Sequence, residues 1–322
     1  MKRKAMILTA MAVILLFAFT AACYAEDAQT LYVAGVKKIQ DRQFEKAIKD
    51  FEKAIGLNKG FVKAYVGKGL CYFMLDNHKK AIEDFNMAIQ RDPENATALF
   101  WRGASYLMAG DSKSAIPDFS GVLRKQPENA YSHLFKGIAS FRIAKLDDAI
   151  SDVSKSISAN PRKAEPYVIR GLCYWKKKSY DSAVRDFKRG IEIDPSNAYY
   201  QLLAYTAKAI NGDPSTDDLA KFYGQDAAKK DKMVYQLIGM MLGKVTTDEC
   251  LKTAEKSEPA KLRGTMIQQA QFFVSSYYQI KGDKEKSKKY LDLAEKGENK
   301  LFVMAAIMKM VFYELKGTLE AK

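Results

Sequence analysis

The chain has 322 residues, 48% hydrophobic and 28% charged, with only 8 Pro, which excludes a collagen-like or disordered polymer and predicts a well-packed body. Lys and Arg number 52 against 38 Asp and Glu, a formal charge of +14, whereas His and Cys total 2 and 4. That inventory leaves little from which to build a metal centre, a His-based catalytic site or a disulfide framework, and it points to a binding protein, not an enzyme, with no cofactor.

Lys2, Arg3 and Lys4 precede an uncharged stretch, 5–25, that contains the apolar run Val13-Ile14-Leu15-Leu16-Phe17. A cationic start, an apolar centre and small residues after it read as a bacterial export signal. Three fates stay open. Cys23-Tyr24-Ala25 fits cleavage before Glu26, Thr20-Ala21-Ala22-Cys23 resembles a lipobox with Cys23 as the lipidated residue, and the uncharged stretch is long enough to serve as an uncleaved membrane anchor. Each places the remaining chain outside the cytoplasm, in the periplasm or against the outer membrane.

A 34-residue period follows. Gly35, Gly69, Gly103, Gly137 and Gly171 obey it, as do Ala47, Ala81, Ala115, Ala149 and Ala183. Phe51, Phe85, Phe119 and Phe187 keep the same step, with Val153 in the fourth place, and Pro93, Pro127, Pro161 and Pro195 close successive units. Tyr72, Tyr106 and Tyr174 follow their glycines by three residues. These residues resemble the tetratricopeptide-repeat signature over 28–61, 62–95, 96–129, 130–163 and 164–197. The resemblance implies an all-α superhelix, an α-solenoid in which each unit is a two-helix hairpin. Small residues at the Gly and Ala places let the helices approach, and Phe and Tyr fill the space beside them. Asp76-Asn77, Gly110-Asp111 and Leu146-Asp147 are the expected turns, and Pro117 falls early in a second helix, where it is either tolerated or kinks it.

The register breaks at 198. Ala198 to Ile210 is helical by pattern, but Tyr205 occupies the Gly place and Asn211-Gly212-Asp213-Pro214 stops the helix, so close pairing is expected to be lost there. Residues 198–267 read as a helical connector with helices near 216–223, 231–243 and 247–256. Residues 268–322 read as a degenerate repeat, with Tyr278, Ser287, Leu291 and Ala294 in signature places, and a capping helix over Phe302 to Lys316. An export signal, these repeats and the tail Leu237-Ile238-x-x-Met241-Leu242-Gly243-Lys244, then Tyr277-Tyr278-x-x-x-Gly282-Asp283 and Leu291-x-x-Ala294, resemble the new lipoprotein I family of Gram-negative envelopes. That resemblance implies an envelope adaptor docking peptidoglycan-remodelling or proteolytic enzymes. Separately, a homodimer and membrane anchoring through the N-terminus remain open.

His78 and His133 stand with no Ser or Cys nucleophile in a local motif. Gly67-Lys68-Gly69 lacks the strand and third glycine of a dinucleotide loop and reads as helix packing. Cys71 and Cys173 share a repeat position three units apart, too far for a disulfide, and read as buried packers. The excess Lys and Arg read as a solvated surface and nucleic acid is not expected, although an anion- or nucleic-acid-binding basic repeat protein is the rival class.

Tetratricopeptide geometry implies that first helices line a groove, here apolar and aromatic. The binding residues it places there are Phe73, Met74, Phe100, Leu107, Met108, Phe141, Arg142 and Trp175. Phe100, Phe141 and Trp175 are its anchors, and Arg142 with Lys176 makes the far end basic, suiting an apolar peptide with an acidic end. The competing reading is that the chain's own C-terminal helices or a second subunit fill that groove.

Overall fold

The computed structural model describes residues 27–229, 231–257 and 260–296, and every regular element among them is a helix. Residues 1–25, including Cys23, and the expected capping helix lie outside the described residues. Two compact units are present, 27–98 and 99–296 of the described chain. Five hairpins follow one another: α1 (Ala28–Gln40) with α2 (Phe44–Leu57), α3 (Val62–Met74) with α4 (His78–Arg91), α5 (Ala96–Met108) with α6 (Ser112–Lys125), α7 (Ala130–Arg142) with α8 (Leu146–Ala159), and α9 (Ala164–Lys176) with α10 (Tyr180–Ile193).

The 34-residue period has a direct steric cause. A Cβ on Gly35, Gly137 or Gly171 would meet Phe51, Val153 or Phe187 at 2.7, 2.6 and 2.6 Å, closer than carbon atoms pack. The missing side chain at the Gly place is therefore the space that the Phe or Val of the second helix fills. Phe51, Phe85, Phe119, Val153 and Phe187 are all completely buried, each contributing roughly 1.5–3 kcal/mol by leaving water.

The hairpin turns obey the period too. Arg42, Asp76, Gly110, Ala144 and Lys178 all adopt positive φ. In each, the next residue's amide donates back across the turn, as from Asn77 to the Tyr72 carbonyl at 2.9 Å and from Lys145 to the Ser140 carbonyl at 2.9 Å, a left-handed C-terminal closure. The turn expected at Leu146-Asp147 is thus corrected to Ile143–Lys145, because Ala144 takes the left-handed place and Leu146 opens α8. Asn77 and Asp111 then cap the following helix through the amides of Lys80 and Ser114. Helix α6 runs unbroken over Pro117.

Polar residues repeat inside the stack as well. Asp50, Asp84, Asp118, Asp152 and Asp186 are all buried, and each meets a basic side chain: Lys38, Lys68, Arg102, Lys136 and Arg170. The Arg pairs are bidentate, Arg102 to Asp118 at 2.9 and 2.6 Å and Arg170 to Asp186 at 2.8 and 2.8 Å. A carboxylate taken out of water needs such a partner. Part of the large basic content is thereby spent inside the hairpins.

Beyond the repeats, α11 (Ala198–Ile210) packs on α10, followed by α12 (Asp217–Tyr223), α13 (Asp226–Lys229), α14 (Lys232–Met241), α15 (Thr247–Glu255), α16 (Ala260–Ile280) and α17 (Lys284–Lys296). Thr246 and Glu249 form a reciprocal capping box at the start of α15. Helices α16 and α17 pack as a hairpin, with α16 starting at Ala260, whereas the sequence places the start of the degenerate repeat at 268. At its Gly and Ala places, Ser275 Oγ donates to the Ser287 carbonyl at 2.7 Å. Leu291, in the Phe place, remains 39% exposed, since no described helix packs beyond α17.

Candidate functional site

The first helices of the repeats do not present all the expected groove residues to solvent. Phe73, Phe100 and Leu107 are buried, at 4, 6 and 0% exposure. Phe100 touches Trp101, Phe119 and Phe135 at ring distances of 5.3, 5.7 and 5.6 Å, so it sits inside a cluster joining the third and fourth hairpins. Burial takes all three away from solvent, and Phe100 in addition packs across to the fourth hairpin. Met74, Met108, Phe141, Arg142 and Trp175 are half-buried. Phe73 and Met74 belong to the first unit, and the other six to the second.

Within the second unit, Met108 ends α5 while Phe141 and Arg142 end α7, which places them in the last turns of successive first helices. The Lys176 ammonium, at the end of α9, lies 5.2 Å from the Phe141 ring centroid. Arg142 Nη1 donates to the Leu107 carbonyl at 2.6 Å, satisfying a carbonyl at the C-terminal end of α5. Among the described residues no carboxylate pairs with Arg142. Burial alone therefore acts on it and pulls its pKa below the usual guanidinium value.

Trp175 is different. Its ring packs against Tyr180, Phe187 and, at 5.8 Å, Phe272 of α16. Helix α16, from beyond the repeats, thus touches the fifth repeat at Trp175, and Trp175, Leu172 and Phe272 pack against one core shared with α11, α14 and α16.

The cysteines among the described residues occupy interior positions, and both histidines pack against the hairpins. Cys71, Cys173 and Cys250 are buried free thiols, and burial raises all three pKa values, those of Cys173 and Cys250 to about 12. His133 Nε2 lies 2.8 Å from the Pro127 carbonyl and its Nδ1 lies 3.5 Å from Asp152. His78 packs its ring on Phe73 at 5.3 Å. Sequence reading overlooked the five buried Asp residues and their partners, although Asp50 to Asp186 and Lys68 to Arg170 both keep the 34-residue step.

Comparison with known proteins agrees with this geometry. Models of the tetratricopeptide repeat match residues 28–61 and 164–197, 62–95, and 85–130 with 104–161. The chain belongs to the tetratricopeptide-repeat family, whose stacked hairpins build protein-interaction scaffolds. Among solved structures it is similar to Pseudomonas aeruginosa PilF, at 18% identity and a TM-score of 0.56 over 65% of this chain and 95% of that one. YrrB, described as a tetratricopeptide-repeat protein with an unusual peptide-binding site, matches at 22% identity and 0.52 over 60% and 97%. MamA from Desulfovibrio magneticus RS-1 matches at 18% and 0.51 over 53% and 96%. These likenesses concern the fold. No curated protein matches the chain.

Proposed function

We propose that this protein is an exported, non-enzymatic adaptor that docks a partner's peptide or helix on the inner side of its third to fifth repeats, serving peptidoglycan-remodelling or proteolytic enzymes of the cell envelope. One observation carries the docking reading: Arg142 is a half-buried cation with no acidic partner among the described residues, flanked by part-accessible Met108 and Phe141 and by Lys176. A desolvated guanidinium in an apolar setting gains most from an incoming carboxylate. The partner segment is accordingly apolar with an acidic group, and it ends where α16 covers Trp175. The peptide-binding site named for YrrB supports the same use of the fold.

The envelope assignment rests on residues 1–25 and on the resemblance of the tail to the new lipoprotein I family. Intact-mass measurement on protein from a Gram-negative host tests it: a chain starting at Glu26 or an acylated Cys23 agrees, and full-length cytosolic protein refutes it. For the docking face, a photo-crosslinking residue at Met108 is expected to capture an envelope enzyme that the same residue at Lys289, on exposed α17, does not. Phe141→Ala and Arg142→Ala should each weaken that complex by about 2 kcal/mol, roughly thirtyfold. Unchanged affinity in folded variants would move the partner surface elsewhere.

A further inference from the structure

The sixth unit breaks its hairpin, and the break leaves a cleft. In the five repeats a glycine lets the second helix press its Phe or Val against the first. Tyr205 stands at that place in α11, and its side chain excludes such an approach. The turn at Gly212, with φ 101°, keeps the period, but the chain returns only as the short helix α12, which covers α11 in part. A cleft of about 440 Å³ remains between α10, α11 and α12, within the size range of sites for small organic ligands.

Its walls have two characters. Ile191, Ala204, Tyr205, Leu219 and Phe222 form an apolar wall, four of them buried at 2 to 9% exposure. Around it stand amines. Lys208 is held by Asp213 at 3.1 Å and by Ser215 at 2.9 Å, whereas Lys188 and Lys221 are exposed and carry no ion pair among the described residues. Of the two acids lining the cleft, Glu192 is engaged by Arg189 at 2.6 Å, which leaves Asp218 against two uncommitted lysines.

We propose that this cleft binds an apolar group bearing a carboxylate, with the apolar body on Tyr205, Leu219 and Phe222 and the carboxylate between Lys188 and Lys221. The cleft, on α10 to α12, shares no lining residue with Met108, Phe141 or Arg142, so it stands independently of the docking role. Such a ligand has two sources, a free organic acid or an acidic–aromatic pair on a partner peptide. Titration of the full chain with phenylpropanoate, its uncharged alcohol and the capped dipeptides Phe-Asp and Phe-Asn, followed by magnetic resonance of the Leu219 methyls and the Phe222 ring, separates them.

Saturable shifts with phenylpropanoate identify a free acid, and shifts with Phe-Asp alone identify a partner-borne pair. In either case Lys188→Gln with Lys221→Gln should weaken the charged ligand about tenfold and leave the uncharged one unchanged, since two exposed charge contacts are worth that much together. Both lysines are exposed, so the variant keeps its fold. Gln201→Trp, which fills the cleft, should abolish the shifts. Binding by neither acid, or equal binding of acid and alcohol in the native chain, overturns the proposal.

Discussion

Ala144 holds the turn of the fourth hairpin at φ 61°, where an L side chain crowds its own backbone. Gly110 fills the same place in the third hairpin without that cost. Ala144→Gly should therefore stabilise the protein by about 0.5–1 kcal/mol, the relief of strain outweighing the greater freedom of glycine in the unfolded chain. Gly110→Ala should do the reverse, and denaturant titration of both variants is the check. Asp84 offers a test with pH. Burial raises its pKa from 3.8 to about 6, against the opposing pull of Lys68. The folded state thus binds a proton more tightly than the unfolded one, so this group's contribution is fully present below pH 4 and is lost as pH rises through about 6. The stability difference between native protein and Asp84→Asn should fall over that window by at most about 3 kcal/mol, less because Asp84 keeps some solvent contact. A difference that stays flat from pH 4 to 7 would contradict the shift.

Each hairpin is held by a small-residue contact and an ion pair, and the two fail differently. Gly103→Leu would force a side chain into the space of Asp118 and Phe119, whose atoms lie only 3.1 Å from where its Cβ would stand, and should cost roughly 1–3 kcal/mol or more. Asp111, an exposed cap, should tolerate change far better, its loss costing about 1 kcal/mol. The Arg102–Asp118 pair predicts a sign change. Arg102→Ala strands a carboxylate that is 3% exposed and should cost about 3 kcal/mol, yet Arg102→Met with Asp118→Leu should restore most of that loss, because a buried pair gains little over apolar packing. A double variant as unstable as the single one would mean that the pair stabilises the hairpin beyond its own charge balance.

At the scale of the second unit, the contact of α16 with the fifth repeat can be read through Trp175. The sequence contains 2 Trp, and Trp101 is 5% exposed inside the third hairpin. Phe272→Ala removes the ring against Trp175 and should red-shift the emission and raise iodide quenching while circular dichroism stays constant. Unaltered emission would mean that α16 does not cover that tryptophan.

The hairpins, their boundaries and their interior phenylalanines were legible in residues such as Gly171 and Phe187, because contacts within a 34-residue unit are local and the same steric fit recurs in every copy. The ion-pair series was equally periodic, though charge on a helix reads as surface until burial is known. Of the expected groove positions, only some stay accessible. Repeat position named Phe141, Arg142 and Phe100 alike, yet Phe100 closes against Phe119 and Phe135 while Arg142 stays partly open. Exposure at a repeat position depends on the sizes of side chains in the neighbouring hairpin, which periodicity does not encode. The placement of Phe272 on Trp175 joins residues 97 positions apart, and no local pattern specifies it. The sequence by itself therefore determined the repeating hairpin, whose stability comes from contacts of short sequence separation. Tertiary structure decided which of the expected groove positions stay accessible, because that depends on which side chains of neighbouring hairpins and of α16 pack over them.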